Sequence, residues 1–156
     1  MTDKEEKTLK LGEIGLQGFA PYLMNRIMGR YNASLQVELV KSGLTTPKMR
    51  TLAVLAVKDG ILIRELAVYA VVVQSTLSRS LDKLELDNLI RRETDAEDSR
   101  ATRIFITEKG RTTFEQIWPK MAESYENMFR NISLDDRNAF VATLQKILNN
   151  VRQNEF

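Results

Sequence analysis

The sequence contains no cysteine. Disulfides, thiolate metal sites and cysteine-based redox sensing are excluded with it. It contains no histidine either, which removes His-ligated metal sites and imidazole acid–base catalysis. No apolar run approaches the roughly 20 residues needed to cross a bilayer. The first residues, Met1 to Lys7, are charged and polar, unlike a secretion signal. These absences predict a cytoplasmic protein with no membrane segment and a frayed start. No paired-carboxylate motif, phosphate-cradling glycine loop or nucleophile–base constellation is present, so neither an enzyme nor a cofactor is expected. Internal repeats and low-complexity segments are missing too.

What remains is a chain of 156 residues, 43% hydrophobic, long enough for one domain with a proper core. Its net charge of +2 identifies no partner. The informative stretch is Ile61 to Thr107, which reads as a helix, a tight turn, a second helix, then two strands joined by a polar loop. That order describes a winged helix-turn-helix, which sets one helix into the DNA major groove. Ile63, Leu66, Ala67 and Ala70 make one apolar stripe of the first helix. In the second, Gln74 to Asp87, Leu77, Leu81 and Leu84 face the core. The opposite side carries Ser75, Arg79 and Asp82, flanked by Thr76, Ser78 and Lys83. Arg79 suits a guanine edge and Gln74 an adenine edge. The hydroxyls at the helix start suit phosphates beside exposed N–H groups. A solvated polar face would show the same pattern.

Asn88 stands where a left-handed residue ends that helix. Leu89 to Arg92 and Arg103 to Ile106 read as strands, and the ten residues between them include no large apolar side chain. Such a loop projects as a wing. Arg100 near its tip is placed for a minor groove, with Asp98 to fix its rotamer. Arg91, Arg92 and Arg103 at the wing base are placed for phosphates. Against this stands the charge balance. Ile61 to Gly110 holds eight Lys and Arg against nine Asp and Glu, so binding DNA requires the cations to be gathered on one face.

These residues carry a family resemblance. Glu65-Leu66-Ala67, Gln74 to Arg79, Leu81 to Glu85, Leu89 to Arg92, Asp95 to Ala101 and Ile106 to Gly110 resemble the MarR family of winged-helix transcriptional regulators. The specific part is Asp98-x-Arg100 followed by Ile106-Thr107-Glu108-Lys109-Gly110. Three positions depart from the family pattern. Val71-Val72-Val73 occupies the turn where a Gly and a capping Ser or Thr are usual, Asn88 replaces a Gly, and Ser99 replaces a frequent basic wing residue. Valine has no side-chain acceptor for a cap and disfavours positive φ. The turn is therefore expected either to change shape or to follow a longer helix.

Elsewhere, Leu9 to Phe19 is apolar but interrupted by Gly12, Gly15 and Gly18, so it predicts an extended or partly helical arm. Pro21 opens a helix to about Ser34, and Leu35 to Val40 reads as a short second one ending by Gly43. Thr46-Pro47 starts the next helix, which Gly60 ends, and Ile61-Leu62 reads as a small strand against the wing. Thr107 caps a long helix to about Arg130 that Pro119 should kink, and Ser133 caps the last one. Phe140, Leu144, Ile147 and Val151 form a heptad-like seam.

The expected fold is thus mainly α with a small antiparallel β wing. Residues 44–107 form the winged helix-turn-helix, and 8–42 and 108–153 a helical dimerisation region. The resemblance implies a homodimer on a palindromic double-stranded operator, acting as a repressor. It also implies a small aromatic or anionic effector between the dimer bundle and the winged helix. Tyr22, Met28, Tyr31, Trp118 and Tyr125 are the candidates for that pocket, although aromatic and methionine stripes usually serve the core. The acid excess and the valine-rich turn motivate an alternative, a winged-helix protein-interaction module without DNA binding.

Overall fold

In the computed structural model, which describes residues 8–156, the apolar periodicities become helices around one core. The arm is partly helical, with α1 at Leu11–Ile14 and a 3₁₀ turn at Leu16–Gly18. The charged start, residues 1–7, lies outside the described residues.

Helix α2 runs unbroken over Ala20–Lys41, where the sequence pattern suggested two helices. The reason is local. Tyr31, Leu35 and Leu39 continue a spacing of four across the expected break, and Leu35 and Leu39 are both fully buried. No proline or glycine lies between Tyr31 and Gly43, so nothing interrupts the helix until Gly43 takes φ 67°. Helix α3, Thr46–Val57, is capped one residue earlier than expected. Thr45 Oγ1 accepts from the Lys48 N–H, which puts Pro47 at the second helical position.

Strand β1 (Ile61–Leu62), helix α4 (Ile63–Ala70), helix α5 (Gln74–Leu86) and strands β2 (Ile90–Thr94) and β3 (Thr102–Ile106) follow in the expected order. The sheet is antiparallel with β3 central, pairing Ile61 with Ile104 and Ile90 with Ile106. Leu77, Leu81 and Leu84 of α5 are fully buried against Leu52, Leu55 and Leu66. The turn between α4 and α5 keeps the helix-turn-helix shape at a conformational cost. Val71 adopts the left-handed conformation, φ 53° and ψ 52°, where a branched Cβ is strained. Arg50 Nη1 donates to its carbonyl at 3.4 Å.

Asn88 takes the left-handed position after α5, with φ 59°. Its carbonyl accepts from Thr107 Oγ1 at 2.6 Å, and Thr107 Oγ1 in turn accepts from the Gly110 N–H and caps α6, Glu108–Met128. Gly110 is needed here, because an added Cβ would lie 2.0 Å from the Leu89 carbonyl oxygen. Helix α6 contains Pro119 and anchors in the core through Ile117. After Asn131, itself at φ 63°, Ser133 caps α7, Leu134–Val151. Helix α7 contains no buried residue.

Candidate nucleic-acid interface

Burying three leucines of α5 leaves its other side in solvent. Gln74, Ser75, Ser78, Arg79, Asp82 and Lys83 are exposed there and Thr76 is half-buried. Gln74, the first residue of α5, faces a cleft of about 710 Å³ against the wing, lined also by Arg64, Glu97, Asp98, Arg100 and Arg103. Gln74 and Arg100 therefore share one concavity. Arg64 was not singled out by sequence, although its position off the α4 stripe marked it as a cation free to turn outward.

The wing loop is held by its acids. Asp95 Oδ2 accepts from the N–H groups of Glu97 and Asp98 at 3.2 and 3.0 Å. Its other oxygen accepts from Arg103 Nε, and Arg103 Nη1 reaches the Gly60 carbonyl at 2.7 Å. The Arg103 hydrogen bond, first, and the Asp98 N–H, second, hold the Asp95 carboxyl below the usual carboxylate range. At the tip, Asp98 Oδ1 accepts from both the N–H and the Nε of Arg100, at 3.0 and 3.1 Å, and these bonds depress its carboxyl as well. The Arg100 side chain is nevertheless 90% exposed. Asp98 thus aims the guanidinium without covering it.

The remaining wing-base cations divide. Arg91 is exposed, bonds Glu93 Oε1 at 3.0 Å and stacks its guanidinium 4.4 Å from the Phe105 ring. Arg92 turns to α5 instead, with Nη2 2.8 Å from Asp82 Oδ1 and Nη1 3.5 Å from Glu85 Oε1. Arg92, on Asp82 and Glu85, and Arg103, on Asp95 and the Gly60 carbonyl, therefore brace the wing at the positions that the sequence placed for phosphates. The same pairings offset five of the nine acids, though not Glu97, which also lines the cleft. Asp82, Glu85, Glu93, Asp95 and Asp98 all face an arginine, which leaves Arg79, Lys83, Arg64 and the outer edge of Arg100 toward solvent.

The MarR family model matches residues 42–101, the span from the end of α2 to the wing tip. A crystal structure of a MarR-family transcriptional regulator from Silicibacter pomeroyi is 52% identical, covering 95% of this chain and 100% of that one, with a TM-score of 0.91. The chain belongs to the MarR family. Among curated proteins, the HTH-type transcriptional repressor IacR of Pseudomonas putida is 27% identical over 78% of this chain and 72% of its own length. The transcriptional regulator HosA of Escherichia coli O157:H7 is 28% identical over 86% of this chain and 98% of its own length. This MarR-family protein is a DNA-binding transcriptional regulator and not an enzyme, and the interaction-module reading is set aside.

Behind the winged helix lie two adjoining cavities that share Tyr31 and Met128. One, of about 400 Å³, is almost wholly apolar. Met28, Tyr31, Trp118 and Tyr125 line it with Met121, Phe129, Phe140 and Leu144. The other, of about 530 Å³, carries Arg26, Arg30 and Lys120 beside the Ser34–Ser124 hydroxyl pair, whose oxygens are 3.1 Å apart. Four of the five expected pocket residues meet in the apolar cavity. Tyr22 does not line it, because it sits further up α2, where its hydroxyl accepts from Arg26 Nη1 at 3.3 Å. The three cations were missed by sequence. Arg26 and Arg30, four apart on one helix face, were the available signal. No helix among the described residues is long and apolar enough to cross a membrane.

Proposed function

We propose that the protein is a cytoplasmic, homodimeric repressor that binds a palindromic double-stranded operator and releases it when a small aromatic acid occupies the paired cavities. The observation that carries this reading is that Gln74, which begins the exposed face of α5 bearing Ser75 and Arg79, shares one cleft with the exposed Arg100 at the wing tip. A helix presented this way reads major-groove edges while the wing reaches the neighbouring groove. Residues 44–107 then form the DNA-reading region.

The dimerisation region is 8–42 with 108–153. Its support is apolar surface left bare in one chain. Leu9, Leu11, Ile14 and Leu16 on the arm and Phe140, Ile147, Leu148 and Val151 on α7 are all exposed. Exposed apolar side chains gathered on two elements in this way fit an interface. A two-fold pair sets two α5 helices against half-sites about 34–36 Å apart. The cavities lie within that bundle, at the junction of α2, α6 and α7. The apolar one suits an aryl body, and Arg26, Arg30 and Lys120 suit its carboxylate. A ligand there releases DNA only through a higher affinity for the arrangement that does not fit the operator.

Selection of bound duplexes from a random pool, followed by sequencing, tests the reading together with the sedimentation mass of the free protein. An inverted repeat and twice the chain mass are expected. A monomer at micromolar concentration, or enrichment of no duplex at low salt, overturns it.

A further inference from the structure

Two local features at the start of α5 conflict with simple stability. Val73 is the N-cap, φ −63° and ψ 144°, yet its side chain offers no acceptor to the helix N–H groups. Serine or threonine there would stabilise the helix, so valine is a poor choice for folding. Its isopropyl group gains little in exchange, because Val73 is 69% exposed. Val71, two residues earlier, is strained at φ 53° and 76% exposed. Local rules broken without an internal gain point to a role outside the chain. Directly after these valines begins the polar face of α5, in which Gln74 and Arg79 are already assigned to base edges.

We infer that Val73 reads a thymine methyl group in the major groove, and so fixes a T·A pair in each half-site beside the position that Gln74 reads. The inference rests on the operator-binding reading above. The first residues of a recognition helix lie nearest the bases. Of the major-groove edges, only thymine presents a methyl group, and an apolar side chain is its complement. An isopropyl group at the N-cap is continuous with the DNA-reading face and outside the reach of the core. Removing water from that methyl contact is worth about fourfold in affinity per half-site.

The test replaces each thymine of the selected duplex, one at a time, by deoxyuridine, which lacks only the C5 methyl. Wild-type protein and Val73→Ser are compared by titration at fixed salt. Wild type should lose about fourfold at one thymine per half-site, and Val73→Ser should bind the thymine and uracil duplexes equally. Val73→Ser restores a capping hydroxyl, so it should melt at or above the wild-type temperature. The inference falls if deoxyuridine is neutral at every position for wild type, or if Val73→Ser keeps the full discrimination. Enrichment of no duplex at the selection stage overturns the operator reading and this inference with it. Selection followed by a neutral deoxyuridine scan overturns this inference alone.

Discussion

Arg92 on β2 donates Nη2 to the Asp82 carboxylate on α5 at 2.8 Å, tying the wing to the helix that faces DNA. The pair also neutralises a carboxylate on the side that phosphates approach. Arg92→Ala is expected to lower stability by about 1 kcal/mol, since the pair is part-exposed. It should weaken DNA binding beyond that loss, because Asp82 and Glu85 then repel the duplex. Binding should return in Arg92→Ala combined with Asp82→Ala and Glu85→Ala. Thermal melts and gel shifts of the two variants read both effects, and unchanged affinity in Arg92→Ala would remove the electrostatic role.

Arg79 and Arg100 should fail differently. Arg79→Ala is expected to cost about 1–3 kcal/mol on the best duplex and to relax preference at one base pair. Arg100→Ala should weaken binding to all duplexes and lower the salt slope by about 1. Titrations at several salt concentrations separate the two outcomes. A flat response to both substitutions would move the contact elsewhere.

Val71 gives a stability prediction of opposite sign to most substitutions. Its left-handed backbone is strained for a branched side chain, and glycine adopts it freely. Val71→Gly should raise stability by up to about 1 kcal/mol once the looser unfolded chain is allowed for. That corresponds to about 2–4 °C in melting temperature. A lower melting temperature would show that the Val71 side chain packs usefully after all.

The wing should resist acid. The pKa values of Asp95 and Asp98 are depressed by Arg103 and Arg100 respectively. A carboxylate with a depressed folded-state pKa stabilises the fold at every pH above its unfolded value, and that stability fades as pH falls through the folded value. Amide protection in residues 95–101 should stay constant from neutral pH to about pH 5 and decline only below the ordinary aspartate value of about 3.9. Loss already at pH 6 would contradict this ordering.

The helix-turn-helix and wing were legible because burial there is one-sided. Leu77, Leu81 and Leu84 at their spacing dictate which side of α5 is left for Arg79, and Ile104 and Ile106 do the same for β3. The length of α2 was misread because Ser34 resembles a boundary while the buried Leu35 and Leu39 override it. The pairings of Arg92 and Arg103 were not legible at all. Whether an arginine faces a phosphate or a carboxylate depends on partners ten and eight residues away, brought close only by folding. The cationic cavity was hidden for the same reason, since Arg26 and Lys120 lie on different helices.

Helix α7 has consequences beyond assembly. None of its 18 residues is fully buried in its own chain, and it rests on the end of α6 through Phe140 against Phe129 and Arg137 against Glu126. In the proposed homodimer, where the partner would cover its exposed apolar side, its persistence follows how many other chains are nearby. Dilution should expose it to proteases long before the winged helix opens, so the amount of protein in the cell would set both its lifetime and its occupancy of a target.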